Sequence, residues 1–252
     1  MLPLLVVALI SCNKDNGNDG NSVQKLVKSI TYMESPDYPL VTTFEYDENG
    51  RVVCAKWTEA GNTFTIADVA YKGNMIIETG PGGQESNSSD GTTVSQLKEE
   101  YIHYLDDNGY VIKTEYKDYW SDESYNSNDA VTYEYENGKL VKIAREKFNS
   151  DYTFQWQNGD ITTVSNNNGI VENISYSNTV DNFNVDVAAC WAYYGISYCI
   201  GSAATLKFKG TTSEHLPQMI DGIVFSYEFD SDGCVTTIKE DGEPIYYIEY
   251  VE

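Results

Sequence analysis

The stretch Phe-Glu-Tyr-Asp-Glu-Asn-Gly-Arg-Val at 44–52 constrains this chain most, because it returns. His-Tyr-Leu-Asp-Asp-Asn-Gly-Tyr-Val (103–111) and Tyr-Glu-Phe-Asp-Ser-Asp-Gly-Cys-Val (227–235) repeat its plan. In each, an aromatic residue or leucine precedes an aspartate, with Asn-Gly or Asp-Gly shortly after. A tighter form is seen in Tyr-Glu-Tyr-Glu-Asn-Gly-Lys-Leu-Val (133–141) and Phe-Gln-Trp-Gln-Asn-Gly-Asp-Ile-Thr (154–162), and a reversed Gly-Asn form at 69–77. Asn-Gly and Asp-Gly tolerate the positive φ that two-residue hairpin turns require. The flanking Tyr, Phe, Trp, Val, Ile and Thr suit a pleated, half-buried surface. Alternation places Val131, Tyr133 and Tyr135 on one face and Thr132, Glu134 and Glu136 on the other, with Val141 and Ile143 sharing a face beyond the turn. Gly50, Gly73, Gly109, Gly138, Gly159 and Gly233 therefore mark at least six hairpins. The expected fold is all-β: an antiparallel meander of hairpins curled into a barrel or half-barrel. The aspartates and asparagines of these units read as turn residues, since no stretch has the acid spacing of an EF-hand calcium loop.

Residues 185–208 break the rhythm, being rich in Ala, small residues and aromatics and nearly free of charge. Two readings stand: a short, partly helical insertion that packs into the β-structure and covers a barrel mouth, or a plain buried strand pair.

The chain begins Met-Leu-Pro-Leu-Leu-Val-Val-Ala-Leu-Ile-Ser-Cys. Its apolar run is shorter than the ~20 residues a transmembrane helix needs and suits a secretory signal. Leu9-Ile10-Ser11-Cys12 resembles a bacterial lipobox, which implies cleavage after residue 11 and acylation of Cys12. No Lys or Arg precedes the run. Asn13–Ser22 contains no apolar residue and reads as a flexible tether. Lys14-Asp15 resembles the surface-export signal of Bacteroidetes lipoproteins, with one acid where two are usual. The expected organisation is a signal peptide (1–11), an acylated cysteine and tether (12–22) and one β-domain (23–252), placed at the outer membrane on its periplasmic or surface face.

A formal net charge of −23 opposes binding to phosphate backbones, so nucleic acid is excluded as a partner. With Cys12 acylated, Cys54, Cys190, Cys199 and Cys234 remain. They are either disulfide-bonded, with Cys190 and Cys199 the favoured pair, or buried free thiols.

No catalytic signature emerges. The two histidines are His103, in a strand, and His215, in a segment that reads as a loop. They show no metal spacing, no serine occupies a nucleophile elbow, and no phosphate or dinucleotide motif is present. No cofactor or metal is expected. With 39 acids, any pair chosen for glycoside hydrolysis is uninformative. Aromatic residues in polar company are more telling. Residues 116–129 hold Tyr119, Trp120 and Tyr125 among Asp, Glu, Ser and Asn, with Asp122 beside them. Such a segment either folds its aromatics back onto the sheet or presents them to a sugar, the carboxylates accepting hydroxyl hydrogen bonds.

The YDENGRV stretch resembles the YD repeat of RHS-type shells, which implies hairpin physics here. The lipobox, Lys25–Tyr32, the hairpin series and the segment 185–220, with Asn184-Val185-Asp186 leading in and Leu216-Pro217 in its exit, together resemble an uncharacterised Bacteroidetes lipoprotein family. That family is described as having a porin-like fold; the resemblance implies a barrel and supplies no functional residues. Charged strands such as 110–118, with Lys113 and Glu115 on one face, argue that this barrel does not face lipid. The expectation is a non-catalytic envelope lipoprotein that binds an extracellular glycan or protein. A carrier of hydrophobic ligands is the alternative, and a hydrolase is ranked last.

Overall fold

The computed structural model describes residues 11–13, 24–33, 39–82, 85–87, 93–145, 147, 150–167, 169, 171–180, 210–211 and 213–251. The first strands are β1 (Ser11–Asn13), β2 (Gln24–Tyr32), β3 (Leu40–Tyr46), β4 (Val52–Glu59), β5 (Asn62–Lys72), β6 (Met75–Pro81), β7 (Glu85–Asn87), β8 (Thr93–Leu105) and β9 (Val111–Trp120). After a 3₁₀ turn (Glu123–Tyr125) come β10 (Ser127–Glu136), β11 (Lys139–Arg145), β12 (Ser150–Gln157), β13 (Asp160–Asn166) and β14 (Val171–Val180). The last are β15 (His215–Ile220), β16 (Ile223–Phe229), β17 (Val235–Glu240) and β18 (Glu243–Tyr250). Neighbours pair antiparallel in chain order, β6 pairs with β8, and β18 pairs with β2. The sheet therefore closes into a 16-strand barrel rather than a half-barrel, with β1 and β7 as short additions on β2 and β8. The segment 185–208, including Cys190 and Cys199, lies outside the described residues.

The recurring aspartates build the turns at one end of the barrel. Asp47 Oδ1 accepts the N–H groups of Asn49 and Arg51, Asp106 Oδ1 those of Asn108 and Tyr110, and Asp230 Oδ1 those of Asp232 and Cys234. In each, the glycine N–H returns to the aspartate carbonyl and only the glycine takes positive φ (70°, 81° and 80° at Gly50, Gly109 and Gly233). These are four-residue turns closed by a left-handed glycine, not the two-residue turns the sequence suggested. The tight form is two-residue: Asn137-Gly138 and Asn158-Gly159 have both residues at positive φ, as a primed turn demands. Ala60-Gly61, Asp221-Gly222 and Asp241-Gly242 make the same turn at the opposite end.

A second repeat is built on bulges. Seven aromatics near the turn end donate a side-chain hydrogen to a backbone carbonyl of the preceding strand: Tyr46 to Val27, Tyr71 to Val52, Tyr135 to Val111, Trp156 to Leu140, Tyr176 to Ile161, Tyr227 to Pro217 and Tyr250 to Val235. The distances run from 2.5 to 3.0 Å. Every accepting residue sits beside a break in strand register. A bulge disrupts the ladder locally, and a buried carbonyl without a donor costs about 1–3 kcal/mol. The aromatic side chain supplies that donor. The eighth equivalent position is Leu105, which has none to give; the preceding β5–β6 hairpin runs in unbroken register, so no carbonyl there is released. The same bulge explains why Leu140 and Ile143, rather than Val141, face inward.

Inner and outer walls follow from cross-strand partners. The row Ile248–Ile30–Thr42 is buried, as are Phe154–Val164 and Ile174–Ile220. Val27, Ile143, Leu216, Val235 and their neighbours join these in one contiguous core. The outer wall carries ion pairs: Lys28–Glu249, Lys56–Glu45, Lys113–Glu115, Lys142–Asp151 and Lys239–Glu228. A barrel that spans a bilayer has an apolar band outside and a polar lumen. This polarity is inverted, so the outer wall is built for water.

Candidate functional site

One sector of the inner wall departs from the apolar rule. The row Val69–Glu78–Tyr101–Tyr116–Asp129 crosses β5, β6, β8, β9 and β10. Below it, towards the turn end, lies Tyr71–Ile76–His103–Thr114–Val131; above it, Gly80–Glu99–Asp118–Ser127. Alternation thus points Glu78, Glu99, Tyr101, His103, Tyr116, Asp118 and Asp129 inward together.

The deepest part is a buried polar cluster. His103 is fully buried and Glu78 is 1% exposed. His103 Nε2 lies 3.7 Å from Glu78 Oε1, and its Nδ1 is 2.8 Å from Thr114 Oγ1, which is 3.2 Å from the Tyr133 hydroxyl. His103 is thus a core histidine bonded through Nδ1, its Nε2 facing Glu78 Oε1 beyond hydrogen-bond distance. Arg145 Nε pairs with Asp129, neutralising a second buried acid.

Nearer the mouth the acids are accessible. Asp118 accepts hydrogen bonds from Gln96 Nε2 and, at 3.0 Å, from Trp120 Nε1. Its cross-strand partner Glu99 has its carboxyl pushed up by burial and by Asp118. Tyr116 faces the same inner sector one row below, and burial together with the charges of Asp118 and Glu99 raises its phenol pKa.

The aromatics singled out in sequence divide. Trp120 and Tyr125 stand together, ring centroids 6.2 Å apart, with Trp120 on the inner face above Asp118. Tyr119 faces the other way: its hydroxyl reaches Glu100 at 3.3 Å and Lys98 Nζ lies 4.3 Å from its ring centre, on the outer wall. Adjacent strand residues point to opposite faces, so β9 separates them. Asp122 caps the 3₁₀ turn, accepting from the Ser124 N–H at 2.9 Å and Ser124 hydroxyl at 2.7 Å. The mouth carboxylate is therefore Asp118, two residues from Trp120 and on its face. Sequence reasoning also missed a second aromatic pair. Thr42 pairs with Trp57, and Trp57 with Phe64, which extends the inner row Ile248–Ile30–Thr42. Phe64 is 56% exposed although on the inner face, so solvent reaches the wall there.

His215 lies on β15 rather than in a loop. Its Nδ1 is 3.0 Å from Asp160 Oδ2 and its backbone N–H donates to Asp160 Oδ1. Ser213 is buried; its hydroxyl accepts from the Ile161 N–H at 3.2 Å and bonds the Tyr176 hydroxyl at 3.1 Å. These groups stitch β13 to β15. The two cysteine readings also divide. Cys54 is a buried free thiol, whereas Cys234 is disulfide-bonded, its partner lying outside the described side chains.

Residues 44–237 match the family described as "domain of unknown function (DUF4595) with porin-like fold". The chain belongs to this family. The porin-like barrel is shared with a crystallographically determined porin-like protein from Bacteroides uniformis, at 15% identity and a TM-score of 0.55, covering 89% of this chain and 96% of that one. A second porin-like protein, from Bacteroides vulgatus, aligns at 13% identity and a TM-score of 0.44, covering 89% and 97%. No curated protein matches the chain. For this porin-like family member the inverted wall polarity shows that the likeness is one of strand architecture.

Proposed function

We propose that this protein is a non-catalytic lipoprotein of the cell envelope, anchored at Cys12, that binds a neutral glycan at the barrel mouth. The observation that carries the reading is the Trp120–Tyr125 pair held above Asp118 and Glu99. An aromatic face takes the C–H surface of a sugar, while carboxyl groups take its hydroxyls. The acidic surface disfavours acidic polysaccharides. Binding without turnover is supported by Glu99 and Asp118 standing directly opposite each other on adjacent strands; hydrolysis by a carboxyl pair needs the scissile bond between them. The carrier reading requires a dry cavity, whereas the described apolar interior holds clusters of tightly buried side chains, one around Ile143 and Leu216 and one around Val52, Val69 and Ile76.

The anchor suits this site. Cys12, on β1, pairs with Lys25 at the start of β2, at the turn end. A lipid there tethers that end and leaves the mouth facing away from the bilayer.

The test is a Trp120→Ala, Tyr125→Ala double variant, assayed beside the parent on neutral and acidic glycans. Parent binding to neutral glycans that is lost in the folded variant supports the reading. A parent that binds none, or a variant that binds equally well, overturns it. For the anchor, Cys12→Ala releases the protein from membranes and abolishes palmitate labelling; retention with label places the anchor elsewhere.

A further inference from the structure

The mouth carries two aromatic plates in one layer of the wall. Trp120 stands one layer above Asp118 and pairs across the strands with Gln96. Asp68 pairs with Thr79, which brings Ala67 level with Gly80, and Gly80 shares a row with Glu99 and Asp118. On β5 a bulge follows Ala67 before Phe64 pairs with Trp57, so Phe64 also stands one layer above that row. Phe64 on β5 and Trp120 on β9 are separated by three strand spacings, across β6 and β8, or about 14 Å.

Between the plates the end of β6 carries no inward side chain. A Cβ at Gly80 would lie 2.9 Å from Glu99 Oε1 and 3.0 Å from the Ile66 carbonyl oxygen, and one at Gly82 would lie 1.8 Å from the Gln96 carbonyl oxygen. Gly82 requires glycine because the β8 backbone fills the space beside it, whereas at Gly80 the nearest atom is the end of the Glu99 side chain. Here β6 packs closely against β8, and the polar groups lying between the plates are Glu99, Gln96 and Asp118, all hydrogen-bonding groups suited to hydroxyls.

We infer that the mouth binds an extended, unbranched neutral glycan chain of at least four sugars, one ring on Phe64 and Trp57, one on Trp120 and Tyr125, with the intervening units running past Glu99, Gln96 and Asp118. This rests on the glycan-binding reading above and adds ligand length and direction to it. Each pyranose of an extended chain advances by roughly one strand spacing, about 5 Å, so the 14 Å between plates takes three steps and four rings. A disaccharide engages one plate only.

The experiment is calorimetric titration of the full chain with unbranched neutral gluco- and manno-oligosaccharides of one, two, four and six units. The parent is expected to gain about tenfold in affinity from two units to four, the worth of one added stacking plate, and to change less than about twofold from four to six. Phe64→Ala removes a largely exposed ring and leaves the core intact. It is expected to erase the gain from two to four units while leaving disaccharide affinity within about twofold. A disaccharide bound by the parent as tightly as the tetrasaccharide overturns the two-plate inference while glycan binding stands. So does a Phe64→Ala variant that weakens both ligands equally or neither. A parent that binds no oligosaccharide of any length overturns both.

Discussion

Tyr135→Phe isolates the bulge-and-hydroxyl device that repeats around the barrel. The substitution keeps the ring, which packs tilted against Tyr110 with centroids 5.3 Å apart, and deletes only the hydroxyl. That hydroxyl donates at 2.8 Å to the carbonyl of Val111, a residue with no solvent exposure beside a register break between β8 and β9. Water cannot replace the lost donor without opening the wall. The cost is then that of a buried, unsatisfied carbonyl, about 1–3 kcal/mol. For a domain of this size each kcal/mol moves the melting temperature by about 2–4 °C, so a fall of about 2–12 °C is expected in a thermal melt. Tyr119→Phe is the matched control. It also deletes one hydroxyl, but an outer-wall one 3.3 Å from Glu100, and is expected to stay within about 0.5 kcal/mol. Burial also raises the Tyr135 phenol pKa far above its ordinary value, so the variant should lose a tyrosine that resists ionisation in an alkaline ultraviolet titration. If the two variants melt together, the hydroxyl at the bulge is not what closes the wall, and the reasoning fails.

Two further outcomes are expected. Burial raises the carboxyls of Glu99, Glu172 and Glu240, so their folded forms hold protons more tightly than the unfolded chain; stability falls as pH climbs from the unfolded carboxyl pKa of about 4.3 through their raised values. Asp47 and Asp106 are lowered by the N–H groups of their turns, and Asp230 by those N–H groups and Lys25 against its burial; they lose their contribution as pH falls through their lowered values. Denaturant midpoints should therefore peak on the acid side of neutrality, and a peak at alkaline pH would contradict this. Burial, Glu45 and Asp68 push the Cys54 thiol up, so iodoacetamide should leave Cys54 unmodified in the native protein at neutral pH and alkylate it after unfolding; rapid native labelling would refute the burial.

The hairpin plan was legible because turn chemistry is local: Asp47, Asp106 and Asp230 bond N–H groups two and four residues away, and Asn137-Gly138 meets its φ demand by itself. Alternation along a strand is local too, which is why the inward Val131, Tyr133 and Tyr135 could be read in advance. Two features break that reading. A bulge shifts the period by one, so Val141 yields its inward place to Leu140, and nothing in 139–143 announces it. Tyr119 and Trp120 looked like one cluster until β9 was seen to run through both, placing them on opposite walls.

The sequence by itself determined the antiparallel meander, the turn role of its aspartates and a wall too charged for lipid. The tertiary structure alone decided that β18 closes on β2, that Glu78, His103, Glu99 and Asp118 share one inner sector, and that Phe64 stands level with Trp120. Those relations join residues far apart in sequence through strand register. Register around a closed sheet is a sum of turns and bulges over the whole barrel, which no local stretch of sequence encodes.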